Sequence, residues 1–323
     1  MAQMNAAVVT SFAEPPHYQE FEVPQPRTGD QIVVDVLAVG LHPRARTGAT
    51  GTHYTSTGTL PMIPGIDGVG QRPDGTRIYF VAADDVIGTM ADKALADVRR
   101  CVELPDDADV AKVAAAMNPA MSSWVALRRR VPIEPGQSVL VLGATGNAGA
   151  MAVQVAKRLG AGRVVGAGRD PGRLRALSST GADDVVQLTA EEGATARALA
   201  AAAAETDIVI DYLWGRPAQQ AMIALLTARS DRSRAIDWIQ IGAIAGPTIE
   251  LPSVALRSAN LRLQGSGQGA ISPDAYLAQL PPLVEEINAG AIVVKPNTMP
   301  LKDVERIWTQ PDVPGERTVL LPS

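Results

Sequence analysis

From Ser138 onward the chain alternates short unbroken apolar runs with stretches in which apolar residues recur every three or four positions. Ser138–Leu142, Arg163–Ala167, Asp184–Leu188 and Thr206–Asp211 are runs of the first kind, the pattern of parallel strands buried on both faces. After the first run a helical pattern puts Met151, Val155 and Leu159 on one face and Gln154, Lys157 and Arg158 elsewhere. Gly172–Ser178, Thr189–Ala204 and Pro217–Leu226 also read as helices. Ala235–Gly242 reads as a further strand, and Leu261–Gly265 as the last, edge strand. About six strands with interleaved helices predict a doubly wound parallel α/β sheet, complete within residues 119–266.

The flanks follow another pattern. Strand-like runs at Asn5–Val9, Gln31–Val39 and Arg77–Val81 are broken by glycine and proline, which predicts a smaller, mainly β domain over residues 1–118. Gly40–Gly70 is rich in Gly, Thr and Pro and reads as a long loop, of a length that is often functional. A helix is expected to start near Val110. Pro132, Pro135 and Gly136 mark a turn ahead of the Ser138 strand. The tail, residues 267–323, carries an amphipathic helix (Leu277, Leu280, Val284, Ile287) and terminal strand patterns. It is expected to return to the first domain.

Composition narrows the classes. The 323 residues are 46% hydrophobic and 20% charged, with a net charge of −5. That balance offers no general attraction to nucleic acid or to an anionic membrane. The alanine-rich run Ala198–Ala204 is too short to cross a bilayer. A single cysteine, Cys101, excludes an internal disulfide and a cysteine-rich zinc site. With no signal-peptide pattern and no Asn-x-Ser/Thr acceptor, a soluble, cytoplasmic setting is the expectation. Short-chain reductase, hydrolase-elbow and P-loop signatures are absent from the sequence.

The chemistry-bearing stretch is Gly143-Ala144-Thr145-Gly146-Asn147-Ala148-Gly149, set between a buried strand and a helix. This is the context of a dinucleotide fingerprint, here G-x-x-G-x-x-G with Ala144 in the usual first glycine position. Gly146 lets the backbone approach a pyrophosphate, and Gly149 lets the helix lie close to the strand. Thr145, Gly146, Asn147 and Ala148 then present the helix N-terminus to the phosphates. The second strand ends Gly168-Arg169-Asp170, with Arg173 one turn later. Two guanidiniums suit a 2′-phosphate and favour NADPH. Asp170 reads either as a ribose-binding acid or as a helix cap before Pro171. Gly242 and Ala243 close a strand at the carboxyl edge where cofactors sit, and Tyr212, Leu213 and Trp214 follow Thr206–Asp211 at the same edge, where they read either as flanking the adenosine half or as simple packing.

With the order β domain, dinucleotide-binding domain and returning tail, the chain resembles the medium-chain dehydrogenase/reductase superfamily over nearly its whole length. It is most similar to the zinc-independent quinone oxidoreductase and enoyl reductase branch. Pro61–Gly70 (PMIPGIDGVG) is similar to the P-x-x-P-G-x-[DE]-x-x-G of that family, and Gly88–Asp92 to its G-x-x-A-E. Met121–Trp124 resembles the segment opening the cofactor domain, and Val139–Gly149 the branch's V-x-G-A-x-G-x-x-G. Two departures stand out: Asn147 replaces a usual glycine, and Leu41–Gly51 is divergent.

The resemblance implies a Rossmann sheet plus a GroES-like domain, a small-molecule acceptor and a homodimer joined through Rossmann edge strands near Leu261–Leu263. It implies that Gly242, Ala243, Ile244, Gly265 and Ser266 face the nicotinamide half of the cofactor, and that Ser123 contributes. It also places the long loop on the substrate side. There Tyr54 or His53 would donate a proton or hydrogen bond to a carbonyl oxygen, His42 is a further oxygen partner, and water is the alternative. His42 reads more readily as a hydrogen-bonded structural histidine, and Arg128–Arg130 as a solvated face. Zinc enzymes of the superfamily use Cys, His and Cys ligands. Here Ile66 stands at the G-H-E histidine and no cysteine completes the set, so no metal is expected. Without a Lewis acid, an acceptor whose developing charge is delocalised is favoured. The reading is therefore an NADPH-dependent quinone or α,β-unsaturated carbonyl reductase. Its alternatives are a non-catalytic NADPH-binding sensor or scaffold, and a narrow-specificity biosynthetic enoyl or imine reductase.

Overall fold

The structure is a computed structural model that describes every residue except Met1, Tyr54, Gln268, Asp312, Pro314 and Ser323. The described chain forms two compact units, one of residues 1–118, 280–290 and 294–323, the other of residues 119–279 and 291–293.

In the first unit, β1 (Gln3–Val8) and β2 (His17–Glu22) pair as an antiparallel ribbon. β3 (Gln31–Gly40), β4 (Asp67–Gln71), β5 (Arg77–Ala82) and β6 (Lys93–Glu103) pair antiparallel in sequence order. β3 also pairs with β6, so the sheet closes on itself as a small barrel, which removes exposed edges. Ile78, Phe80, Val34 and Val36 are buried in its core. Between β3 and β4 the stretch read as plain loop contains a helix, α1 (Pro43–Ala49). Pro43 supplies the fixed φ of a first helical turn, and Ala45 and Ala49, four apart, bury one face.

α2 (Val110–Val125) runs through Pro119, so Asn118-Pro119 is helix and not a turn. It continues as a π-helical turn over Ala126–Arg130.

The second unit is the doubly wound sheet. Its elements are β7 (Ser138–Leu142), α3 (Asn147–Arg158), β8 (Arg163–Gly168), α4 (Pro171–Leu177), β9 (Asp184–Gln187), α5 (Glu192–Ala203), β10 (Ile208–Asp211), α6 (Gly215–Ala228), β11 (Ile236–Gln240), α7 (Ser253–Arg257), β12 (Leu261–Gly265) and α8 (Pro273–Leu277). The strand order β12-β11-β10-β7-β8-β9 is all parallel. Counted from β7, that is the 3-2-1-4-5-6 arrangement, and its switch point lies between β7 and β10. Val139, Leu140, Val141, Ile208, Val209 and Ile210 are fully buried, as strands covered on both faces must be.

The amino end of this sheet is tied by one side chain. The buried Arg229 guanidinium donates to the carbonyls of Ala204 (2.8 Å), Thr206 (2.8 Å) and Ala235 (3.1 Å). Beside it, Asp207 accepts from Ser138 N and Oγ, both at 2.9 Å, and pairs with Arg234.

The tail returns to the first unit. α9 (Leu280–Asn288) buries Leu280, Leu283, Val284 and Ile287. Leu277 belongs to α8, so the expected single helix is two. β13 (Pro296–Pro300) pairs parallel with β14 (Arg317–Leu321), which joins β3, and α10 (Val304–Trp308) lies between them. Gln154 also departs from expectation. It is buried, donating to Val293 O (3.1 Å) and accepting from Val293 N (2.7 Å).

Candidate functional site

The carboxyl edge of the Rossmann sheet is built from turns that tolerate no side chain. β7 ends at Gly143, whose φ of +86° lies in the left-handed region that favours glycine. A Cβ on Gly149 would sit 2.7 Å from Ala144 Cα, so α3 lies close against the turn, as its glycine predicted. Gly146 differs: a Cβ there would meet only Gly143 O at 3.4 Å. No chain atom requires the smallness of Gly146, which leaves the space above it for a ligand. Gly146, at the N-cap of α3, offers no side-chain cap to its N-terminus. The sheet's other N-termini include α4, which Asp170 caps by accepting from Arg173 N at 2.9 Å.

Asp170 is therefore committed to the helix. The two arginines beyond β8 divide. Arg173 donates to Thr145 O at 2.8 Å, bracing the glycine turn, while its buried Nε has no hydrogen-bond partner among the described residues. Arg169 is exposed and makes no side-chain bond among the described residues. A Cβ on Gly168 would lie 3.0 Å from Thr145 Cβ, so the second strand tip and the turn are in contact. An uncapped helix start, an unfilled cradle at Gly146 and an orphaned Arg173 Nε beside an open Arg169 fit a phosphorylated dinucleotide.

Across the switch point, Asp211 ends β10 fully buried. Its Oδ1 accepts from Leu213 N (2.8 Å) and Trp214 N (3.0 Å), and its Oδ2 from Trp238 Nε1 (3.0 Å). Burial raises its pKa, against those three donors. Tyr212 Oη bonds Ser122 Oγ at 2.8 Å, and burial pushes the phenol up to about 12. Ser123 is buried and donates to Ala120 O at 3.0 Å. Gly242 packs against Tyr212, since a Cβ there would lie 2.8 Å from Tyr212 O. Ala243 and Ile244 follow in the loop after β11, and Ile244 is 83% exposed. Gly265 ends β12, and Ser266 N donates to Gln240 O at 2.8 Å.

Arg128 and Arg129 are exposed, as a solvated face requires, but Arg128 and Arg130 also hold partners. Arg130 donates to the carbonyls of Gly265 and Ala270, both at 3.0 Å. Arg128 donates to Gln279 Oε1 (2.7 Å) and stacks over the buried Trp124 at 4.8 Å. The sequence reading passed over Asp211 and Arg130. Asp211 had a signal, an acid closing an apolar strand. Arg130 had none, because a π-turn has no sequence period.

In the first unit, His42 is buried between β4 and β14. Its Nδ1 accepts from the Arg317 guanidinium, and Nε2 lies 3.1 Å from Asp67 Oδ1 without ideal alignment. Tyr79 donates to Asp67 Oδ2 at 2.8 Å, and Thr89 to Asp67 O at 2.9 Å. Burial, reinforced by Arg317, holds His42 below the ordinary histidine value and outweighs Asp67. These are the surroundings of a structural histidine. His53 lines a pocket after α1 with Arg44, Ser56 and Asp85. Its Nδ1 lies 2.8 Å from Thr55 Oγ1 and 3.3 Å from Thr55 N. Partial burial, then Arg44, lowers its pKa. Tyr54 lies outside the described residues.

A family profile described as "Zinc-binding dehydrogenase" matches residues 148–277. A probable NADPH-dependent quinone reductase of Emericella nidulans is 30% identical over 99% of this chain and 100% of its own length. The chain belongs to the medium-chain dehydrogenase/reductase superfamily, in its quinone oxidoreductase-like branch. Two solved structures share the medium-chain fold. A probable oxidoreductase from Mycobacterium abscessus has a TM-score of 0.80 at 23% identity, over 99% of each chain. The quinone oxidoreductase of Thermus thermophilus has a TM-score of 0.79 at 23% identity, over 98% of this chain and 100% of its own. The medium-chain pattern here is thus a GroES-like barrel and a Rossmann sheet. Among the described residues no three His, Cys, Asp or Glu side chains lie together as metal ligands.

Proposed function

We propose that this chain is an NADPH-dependent oxidoreductase reducing quinones or α,β-unsaturated carbonyl compounds. The observation that carries it is the open turn at Gly146, flanked by an uncapped α3 and by Arg169 with the orphaned Arg173 Nε. The similar quinone reductase of Emericella nidulans supports it over the full chain. NADPH, when bound, supplies the hydride. Thr145, Gly146, Asn147 and Ala148 bind its pyrophosphate, and Arg169 and Arg173 its 2′-phosphate. Tyr212, Leu213, Gly242, Ala243, Ile244, Gly265, Ser266 and Ser123 line the remainder. This reading gives cofactor binding to the second unit and the acceptor-side loop, Leu41–Gly70, to the first.

His53 or water protonates the acceptor oxygen; Tyr54 is the third candidate donor. His42 holds the fold of that region through Arg317 and Asp67. The donor set does not fit zinc, which needs three or four converging ligands: the chain has three histidines and one cysteine. His42 is bound to Arg317, and His17 lies 3.3 Å from Glu305. A lone thiol fits a reducing, cytoplasmic setting, and a homodimer forms through the β12 edge.

The test follows NADPH absorbance with a panel of quinones and 2-enones, with NADH alongside. The expected result is turnover with NADPH that is much slower with NADH. NADPH binding without turnover on any acceptor would favour the non-catalytic sensor or scaffold, and no binding at all would refute the cofactor assignment.

A further inference from the structure

Trp214 is the one described non-glycine residue with positive φ. Its φ of 51° and ψ of −159° fall in a region otherwise kept by glycine. Such a conformation persists only when its surroundings over-determine it, and here they do. Asp211 Oδ1 takes the N–H of Trp214 at 3.0 Å and that of Leu213 at 2.8 Å. Ala245 N donates to Leu213 O at 2.9 Å. Gly215, at φ +58°, comes so close to the same loop that a Cβ would lie 2.7 Å from Ala245 O. A buried carboxylate and a backbone zipper thus hold a tryptophan where glycine is the relaxed choice.

What the strained backbone achieves is the placement of the indole. Trp214 packs partly against the Rossmann core and lines an open pocket of about 340 Å³ with Gln240, Ala243, Pro247, Leu263 and Gly265. Among the described residues no ionisable side chain lines that pocket. Its volume suits one small ring system and is at the low end for ligand pockets. Its floor is the carboxyl end of β11 and β12, the side of the sheet where ligands bind.

We infer that Trp214 is a specificity-determining residue whose indole is the stacking wall for a planar, electron-poor ring. An electron-rich indole face attracts such a ring through its quadrupole and through dispersion. Two rings of this chemistry enter the reaction, the oxidised nicotinamide and the quinone acceptor. The inference rests on the proposed NADPH-dependent reductase for the identity of these rings.

The test compares wild type with Trp214→Phe and Trp214→Leu by calorimetric titration with three probes: NADP+, 1,4-naphthoquinone and 2′,5′-ADP. The last carries the adenine half and no second ring. Leu keeps apolar bulk and removes the aromatic face; Phe keeps the face. We expect Trp214→Leu to weaken NADP+ or naphthoquinone about tenfold, with Trp214→Phe within about threefold of wild type and 2′,5′-ADP unchanged throughout. Weakening of NADP+ identifies the nicotinamide as the stacked ring, and weakening of naphthoquinone identifies the acceptor. Unchanged affinity of both ring ligands in Trp214→Leu overturns the inference. So does a parallel loss of 2′,5′-ADP binding, which marks a role at the adenosine half or in folding. If wild type binds naphthoquinone and not NADP+, the cofactor reading fails while the naphthoquinone titrations still decide the role of Trp214.

Discussion

Arg169 and Arg173 stand one helical turn apart and do different work. Arg173 gives one nitrogen to Thr145 O, whereas Arg169 holds its whole guanidinium in solvent. A charge-assisted hydrogen bond contributes about 1.5–3 kcal/mol, roughly ten- to hundredfold in affinity. Arg169→Glu is expected to weaken NADPH by at least about tenfold and NADH by less than about threefold; fluorescence titration with both cofactors measures the ratio, and equal losses would refute the assignment. His42 gives a pH signature. Its folded pKa lies below the ordinary 6.5, so the neutral form is favoured by folding. That stability is present above about pH 6.5 and is lost as pH falls toward the folded value. The urea midpoint should therefore decline as pH falls below about 6.5, and His42→Gln should flatten that slope; an unchanged slope rules His42 out as its source. At this scale the sequence showed residue types and not their partners. Asp170 was readable as cap or ribose acid, and only the bond from Arg173 N decides. Nothing in the sequence around His42 pointed to Arg317, which lies 275 positions away.

The elements most legible in the sequence were β7 to β12. A strand buried on both faces must be apolar throughout, and a run such as Ile208–Asp211 between helical patterns has few other readings. β2, β4 and β6 were not legible. β2 carries the adjacent polar pair Gln19-Glu20 at its centre, β4 contains two glycines, and β6 has five charged residues among its eleven. Barrel closure gives such strands partners that no local pattern announces. α1 was hidden in a Gly/Thr-rich stretch because two alanines are its buried face. The π-turn at Ala126–Arg130 was equally hidden, and its two last residues differ in what they hold. Arg130 holds two carbonyls of the segment beyond β12, while its neighbour Arg129 makes no bond among the described residues. Arg130→Ala should destabilise the protein by about 1–3 kcal/mol and Arg129→Ala by less than about 0.5 kcal/mol, read as urea midpoints. Equal effects would mean that the Gly265 and Ala270 bonds contribute nothing.

For the whole molecule, β12, like β9 at the far edge, lacks a neighbour on one side. It is an edge of a six-stranded sheet, with Leu263 on it and Val254 and Leu256 nearby in sequence all partly exposed. A bare edge with apolar neighbours invites pairing with another copy. Light scattering should give twice the chain mass of 33.8 kDa, and Leu263→Lys should shift the population toward the single chain. A wild-type protein of single-chain mass contradicts the dimer.

Arg229 has a consequence at the other end of the same sheet. By gathering two carbonyls from the connection before β10 and one from that before β11, it ties the amino ends of these two strands into one foundation. The carboxyl ends carry loops after β10, β11 and β12 that are bonded to the strand ends and to one another. In evolutionary terms the chain is a chassis with interchangeable fittings. Loops at one end can be traded for new acceptors while the foundation stays in place, and descendants of this fold can diverge in chemistry without relearning how to fold.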